Sequence, residues 1–237
     1  MRKFLTAKWH DLVMANYEVA PELLAGRVPL GTSLDFHDGR CFVSLVAFMF
    51  LETRVLGMSV PFHINFEEVN LRFYVKRETA EEVRRGVCFV KEIVPRRAIA
   101  TVARLFYGEP YEAWRMSHAK QENELIYAWW KGENAHSIRV ETGANLGVPA
   151  EDSHGEFIIE HYWGYTRRGE TRTDEYKVEH PKWELLEVKT NEIKVDFGRL
   201  YGADFEFLNK EKPFSVFVAK GSEVAVYKGA EIKQNGK

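Results

Sequence analysis

The side chains best suited to chemistry crowd into one short run, Phe66-Glu67-Glu68-Val69-Asn70-Leu71-Arg72-Phe73-Tyr74-Val75. A strand turns successive side chains to opposite faces. Read that way, Glu68, Asn70, Arg72 and Tyr74 share one face with Phe66, and Val69, Leu71, Phe73 and Val75 share the other with Glu67. The apolar face would pack on a core. The polar face sets a carboxylate, an amide, a guanidinium and a phenol in a row. Turned to water, such a row is the ordinary outer face of an antiparallel sheet. Turned inward, it is a small-molecule site or a structural ion network. Arg72 suits a carboxylate because a guanidinium donates in a planar fork. Tyr74 can donate to a carbonyl, and Glu68 becomes a base once burial raises its pKa.

Two more residues are expected near this site: Arg104, on a helix opened by Pro95, and Tyr111, after the Glu109-Pro110 turn. A second constellation lies between Glu156 and Tyr165. Read as a strand, this segment puts Glu160 and Tyr162 on one face, as further ligand-binding candidates, and His161 on the other. With His180, a histidine–carboxylate pair could serve as a base, or as part of a metal site with His154 or His63. No two histidines have the close spacing of a zinc helix or knuckle, so no metal is expected. Lys91 is an outside candidate for an amine nucleophile, if Phe89, Lys91 and Ile93 face inward.

The elements that must hold these residues are mostly strands. Trp9 to Tyr17 reads as the first. Pro21 to Gly26 reads as a short helix with proline at its start and glycine at its stop. Asp38-Gly39 between Leu34–Phe36 and Cys41–Phe50 signals a hairpin. The second of these runs is apolar on both faces, so it is expected to be covered on both sides. Lys76 to Gly86 is charged and reads as a solvated turn, followed by a partner strand from Val87 to Val94. Ile99, Val102, Ala103 and Phe106 recur at helical spacing up to Gly108. Glu112 to His118, Glu124 to Trp130 and Ser137 to Thr142 read as strands, and Gly143 to Gly155 as a loop. Arg167 to Glu170 reads as a turn, Tyr176 to Leu186 as a returning strand and Asp196 to Gly202 as a short helix. Two late strands fall near Phe214–Ala219 and Val224–Val226. Many short strands with few helices predict a single domain over 1–237, α+β but mainly β, with a closed or curled sheet.

Composition removes several classes of function. A hydrophobic fraction of 45% with 29% charged residues describes an ordinary globular chain. The net charge of −2 offers nothing to nucleic acid or an anionic membrane. No apolar run approaches the ~20 residues of a membrane span. The N-terminus lacks an apolar signal core, and the expected location is cytoplasmic. Cys41 and Cys88 are the only cysteines and sit in apolar runs, so both are expected as buried free thiols. Without a Gly-x-Gly-x-x-Gly, Walker loop, Gly-x-Ser-x-Gly or Cys-x-x-Cys, no cofactor is expected.

At Phe66 to Val75 the chain resembles the "E-x-N-x-R-x-Y-V" segment of the YqjF-like uncharacterised bacterial proteins. Gly86-Val87-Cys88-Phe89, Ala103-Arg104 and Pro110-Tyr111 with Met116 follow in matching order. Phe157-Ile158-Ile159-Glu160-His161-Tyr162 resembles a later "F-x-x-E-x-Y" strand, and His180-Pro181-Lys182-Trp183 resembles "H-x-x-W". The resemblance covers nearly the whole chain. It implies the acetoacetate-decarboxylase-like fold, an antiparallel β-barrel or cone with peripheral helices and a central cavity. In the decarboxylase a Gly-Arg-Glu segment leads into Pro-Lys-Lys, and one lysine forms a Schiff base. Here the matching stretches are Ala103-Arg104-Leu105 and Pro110-Tyr111-Glu112, which keep the arginine and the proline but neither lysine. Imine chemistry needs a primary amine, so the parent reaction is not expected. What remains is a barrel expected to bind, or to bind and transform, a small carbonyl- or carboxyl-bearing molecule. The alternative is a scaffold for self-association as a homo-oligomer or for a protein partner, with Trp129, Trp130 and Trp163 as exposed contacts.

Overall fold

The structure is a computed structural model that describes residues 2–59, 63–106 and 108–233, with the side chains of 102–106 outside the description. In chain order the elements are β1 (Lys3–Val19), α1 (Glu22–Ala25), β2 (Ser33–Leu34), β3 (Cys41–Val55), β4 (Phe66–Glu78) and β5 (Val83–Val94). There follow α2 (Arg97–Phe106), β6 (Tyr111–Ala113), β7 (Arg115–Gln121), β8 (Glu124–Lys131), β9 (Asn134–Gly147) and α3 (His154–Ile159). The chain ends with β10 (Trp163–Arg167), β11 (Arg172–Glu179), β12 (Leu185–Lys194), α4 (Phe197–Tyr201), a 3-10 helix (Ala203–Asn209), β13 (Ser215–Tyr227) and β14 (Ala230–Lys233).

Seven strands close on themselves in the order β11-β10-β5-β4-β3-β1-β13, and β13 returns to β11 through Val178–Val226 and Glu179–Ala225. Closure removes sheet edges that would otherwise present unpaired backbone groups. Every pair in the ring is antiparallel except β10 with β5, which run parallel. The fold is thus mainly β with few helices, as the sequence leads one to expect, with that single departure from an antiparallel ring. At the parallel contact a Cβ on Gly86 would stand 2.6 Å from the Trp163 carbonyl oxygen, so only glycine admits so close an approach.

The long ring strands are apolar on both faces because both faces are covered. One face of β1, β3 and β4 supplies Val13, Tyr17, Leu45, Leu71 and Phe73 to a core shared with an outer arm, β12-β9-β8-β7, and with α4. Tyr127, Trp129 and Ile138 of the arm are fully buried there. The other face supplies Met14, Phe48, Phe50 and Phe66 to the interior of the ring, with Phe157, Ile158 and Ile159 of α3. Burying each such side chain contributes roughly 1.5–3 kcal/mol. Cys41 and Cys88 are buried and unbridged. Among the described residues no helix is long and apolar enough to cross a membrane.

Several local expectations need correction. Asp38-Gly39 makes a tight turn with φ of 49° and 74°, but only His37 and Arg40 pair across it, and β2 pairs with β4 instead of β3. The charged stretch 76–86 is mostly strand: β4 runs to Glu78 and β5 starts at Val83. The expected loop from Gly143 is shorter, since β9 reaches Gly147. The two late strands are one, β13. Residues 154–159 form a helix rather than a strand, because Ser153 caps it: its Oγ accepts from the Glu156 backbone N–H at 3.2 Å. A Ser-x-x-Glu signature at 153–156 was the local signal for that start.

Candidate functional site

A cavity of about 220 Å3 lies in the ring, and all seven ring strands line it. Its wall is largely aromatic, with Trp9, Phe48, Phe50, Phe66, Phe89 and Trp163. Into this wall the polar face of β4 sends Glu68, Asn70 and Arg72, while Val69, Leu71 and Phe73 go to the outer core. Pleating alone explains that division. It does not explain β5. Leu71 pairs with Lys91 but Arg72 pairs with Phe89, so Val90 is an extra residue on β5. Such a bulge inverts the alternation beyond it. Before the bulge Val87 and Phe89 face the cavity; after it Glu92 does. Lys91 is carried to the other side, where its Nζ lies 2.8 Å from Glu112 Oε1 and 5.9 Å from the Trp114 ring centroid. The lysine candidate for an inward amine is therefore corrected: the bulge exchanges it for a carboxyl group.

Three buried carboxyl groups meet in the cavity: Glu68 and Glu92 at 2% exposure and Glu109 at 4%. Asn70 Nδ2 donates to Glu68 Oε1 at 3.0 Å, and Tyr111 Oη donates to Glu68 Oε2 at 2.9 Å. Thr166 Oγ1 donates to Glu109 Oε1 at 2.6 Å, and Tyr176 Oη donates to the same oxygen at 3.0 Å. The Tyr176 phenol reaches across because residue 164 is glycine; a Cβ there would stand 2.1 Å from Tyr176 Cζ. Glu92 Oε2 and Asn70 Oδ1 have no hydrogen-bond partner among the described residues.

Burial disfavours the charged form of each carboxyl group, and the groups also repel one another's charge. Burial pushes the Glu68 carboxyl up to about 7, against the hydrogen bonds of Asn70 and Tyr111. Burial pushes Glu109 up to about 7 as well, against Thr166 and Tyr176. Glu92 is raised well above the carboxylate range by burial and then by Glu109 and Glu68, with the nearby Tyr111 hydroxyl acting in opposition. Tyr111, buried between two carboxyl groups, is held as a neutral phenol. The set can therefore donate through a protonated carboxyl group and accept through an ionised one at the same pH.

At another part of the wall, His161 Nε2 lies 3.2 Å from Asp35 Oδ2, to which Arg85 Nε also donates at 2.7 Å. Burial would raise the Asp35 carboxyl, but His161 and Arg85 outweigh it and hold it low. Burial lowers His161 to about 4, so the ring is neutral at pH 7. His161 Nδ1 is buried without a partner among the described residues. Arg72 Nη2 donates to the Ile158 carbonyl at 3.0 Å, and Arg72 Nε is also without a partner among the described residues.

The remaining candidates fall elsewhere. Tyr74 does not line the cavity; it is 1% exposed, and its hydroxyl donates to Ser44 Oγ at 2.6 Å. Ser44 donates to Asn16 Oδ1 at 2.6 Å, and Asn16 Nδ2 donates to Ser215 Oγ at 2.9 Å. This is a structural polar chain crossing β4, β3, β1 and β13. Glu160 and Tyr162 are likewise outside the lining and bond to each other, with Tyr162 donating to Glu160 Oε2. They follow α3 and do not belong to one strand face. His180 stacks on Trp183 at 4.0 Å. Arg104 lies on α2, and its side chain is outside the described residues. Among the described residues no group of three or more His, Cys, Asp and Glu is arranged to hold a metal ion. The expected aromatic contact surface is corrected too: Trp129 is 0% and Trp163 8% exposed, and Trp130 lies under the Arg115 guanidinium at 4.2 Å.

Reading by alternation misses Glu92, Glu109 and Asp35. Glu92 is hidden by the bulge. Glu109 stands in a turn with no periodicity, though it adjoins the Pro110-Tyr111 pair. Asp35 is 126 residues from its partner His161, beyond any local signal.

Comparison with known proteins agrees with this architecture. A protein of Bacillus subtilis (strain 168) described as "Uncharacterized protein YqjF" is 25% identical over 193 residues, 79% of this chain and 77% of that protein. The crystal structure of acetoacetate decarboxylase from Legionella pneumophila superposes with a TM-score of 0.70 at 11% identity, over 98% of this chain and 88% of that one. The enduracididine biosynthesis enzyme MppR, complexed with the condensation product of pyruvate and imidazole 4-carboxaldehyde, superposes with a TM-score of 0.69 at 11% identity, over 100% and 92%. Identities this low establish the acetoacetate-decarboxylase-like fold and nothing about chemistry. Residues 6–223 match the DUF2071 family model, described as "Uncharacterized conserved protein (COG2071)", and the chain belongs to that family.

Proposed function

We propose that this protein binds a small carbonyl- or carboxyl-bearing molecule inside the ring and moves a proton on it, without an imine. The observation that carries this reading is Glu68: a carboxyl group in an aromatic-walled cavity, held by Asn70 and Tyr111 and raised by burial to about 7. A base poised near the working pH is what proton transfer needs. Glu92, held protonated, supplies a donor for a carbonyl oxygen, and Arg72 supplies one for a carboxylate. Tyr111 and Glu112 cannot form an imine, and Lys91 is engaged by Glu112. The named activities of the fold neighbours concern small carbonyl compounds, which is support by analogy only. A cytoplasmic setting, with the thiols of Cys41 and Cys88 reduced, belongs to the same reading.

The test is a thermal-shift panel of small keto acids, carboxylates and sugars on the native protein and on Glu68→Gln. A ligand that binds only the folded state raises Tm by mass action. A shift confined to one carbonyl or carboxyl class and weakened in Glu68→Gln is expected. A shift that is identical in both proteins would remove Glu68 from the site, and a response only to sugars would overturn the substrate class.

A further inference from the structure

The ring has two unlike ends. At one, α3 packs Phe157, Ile158 and Ile159 into the interior, and Arg72 Nη2 donates to the Ile158 carbonyl. At the other, the cavity is lined by Phe4 and Leu5 from the start of β1, Val55 from the end of β3 and Val226 from the end of β13. Ala98 and Ile99 of α2 line it at this end too, because α2 follows β5 and the end of β5 lies beside the start of β4. Ala98 is also exposed to solvent, so the cavity opens there.

Six cations border the opening. Lys228 N donates to the Arg2 carbonyl at 2.9 Å, Lys3 pairs with Tyr227, and Arg54 precedes the lining Val55 on the next strand. Arg96 and Arg97 precede Ala98 on the other side of the ring, since β4 separates β5 from β3, and β10 and β11 separate it from β13. All six residues are exposed, and none is in an ion pair among the described residues. The acidic residues nearby are engaged or turned away. Glu52 pairs with Lys8 at 2.6 Å, and Glu179 accepts from the Tyr227 hydroxyl. Glu67 is on the outer face of β4, where its charge acts on Tyr127 and His118. A seven-stranded ring is roughly 10–15 Å across. The Debye length at physiological salt is ~8 Å, so the six charges act together over the opening. The chain's net charge is −2, yet it sets six unpaired cations around this one entrance.

We propose that this end of the ring is an anion-selecting entrance, through which the cavity takes its ligand as a small organic acid in the carboxylate form. This rests on the cavity reading above and narrows its ligand to the charged class. An opening edged by one sign of charge and walled by apolar groups focuses the field and raises the local concentration of the opposite ion. Trp9, Phe48 and Phe50 supply that wall. Arg72 lines the same cavity nearer α3, so an anion meets positive charge on entry and again inside. Between them Glu92 is held protonated, and burial raises Glu68 and Glu109, which lessens their repulsion of an anion. A cationic ligand meets the same rim as a barrier, and a neutral one gains nothing from it.

Ala98→Cys puts a thiol at the opening, and the two native cysteines are buried. Its reaction rates with an anionic, a cationic and a neutral methanethiosulfonate are divided by the rates of the same reagents with 2-mercaptoethanol. The anion-to-cation ratio then reports the charge at the opening, with the reactivity of the thiol and of the reagents cancelled. The expected ratio is about tenfold or more at ~10 mM salt and collapses toward one at about 1 M. Lys3→Gln with Arg54→Gln, across the opening from the thiol, lowers it severalfold. Lys210→Gln with Lys212→Gln, just before the opposite end of β13, leaves it unchanged. A ratio of one or below, or an equal response to both pairs, overturns the entrance. The thermal-shift panel is then run with each acid beside its uncharged amide, led by benzoylformate and benzoylformamide. Acids should raise Tm where amides do not, and Lys3→Gln with Arg54→Gln should weaken the response to acids. Amides that bind as well as their acids overturn the ligand class and leave the cavity reading standing. A panel in which nothing binds removes both.

Discussion

Glu109 and Glu175 are equally hidden, at 4% and 2% exposure, yet they sit on opposite sides of one wall. Glu175 and Tyr176 are consecutive on β11, so pleating turns one outward and the other inward. Outside the cavity, Glu175 is clamped by Arg77 Nη1 at 2.8 Å and Arg84 Nη1 at 2.7 Å. Inside it, Tyr176 donates to Glu109, whose other hydrogen-bond donor is the hydroxyl of Thr166. The same side chain at the same depth thus meets two guanidiniums in one place and two hydroxyls in the other. The two guanidiniums pair with the Glu175 carboxylate and fix the wall. Hydroxyls satisfy either protonation state, so Glu109 keeps the ability to change charge. A strongly raised carboxyl group in a cavity marks a functional site more than a clamped one does.

The comparison breaks most visibly at Glu175. Replacing it with Gln leaves the partly buried Arg77 without this counter-charge and Arg84 with only the more exposed Glu82, and breaking a buried pair costs about 3–5 kcal/mol. The expected loss, read by urea denaturation at pH 7, is about 3 kcal/mol, because Arg77 and Arg84 retain some solvent. A loss below about 1 kcal/mol would show that the clamp is not structural.

The second test separates the two sides by pH. The folded pKa values of Glu68 and Glu109 lie above the unfolded carboxylate value of about 4.3. Each group's favourable contribution is complete below the unfolded value and is lost as pH rises through about 7. Glu109→Gln and Glu68→Gln should therefore gain stability relative to the native protein between pH 5 and pH 8, by about 2 kcal/mol each. Urea midpoints at the two pH values give the difference, and a gain that shrinks with rising pH would contradict the assignment. His161 has the opposite sign. Its folded pKa, about 4, lies below the unfolded value, so its contribution is present above about 6.5 and is lost as pH falls toward 4. His161→Gln should flatten that acid limb.

Lys91→Ala carries the smallest effect. It removes a pair with the part-exposed Glu112, worth about 0.2–1 kcal/mol. Acetoacetate followed by borohydride should leave the native protein without a lysine adduct in mass spectrometry. An adduct that disappears in Lys91→Ala would restore imine chemistry.

Much of the site was legible where its residues follow a period. The face carrying Glu68, Asn70 and Arg72 is readable because β4 is a regular strand. Tyr74 shares that face but not the cavity, since its hydroxyl is taken by Ser44, which alternation cannot show. The segment from Glu156 reads as a strand because its aromatic residues suit one, whereas the Ser153 cap and the packing of Phe157, Ile158 and Ile159 favour the helix. The charge run at 76–86 reads as solvated because a linear sequence does not show Asp35 or Glu175, which engage Arg85, Arg77 and Arg84.

The sequence by itself determined the strand-rich class, the two-faced central strand and the two free buried thiols. These follow from local periodicity and residue identity. Tertiary structure alone decided which face became the lumen, that Val90 bulges so that Glu92 rather than Lys91 enters it, and that Asp35 orients His161. Those outcomes depend on ring closure and on contacts between distant segments, where one extra residue in a strand inverts everything beyond it.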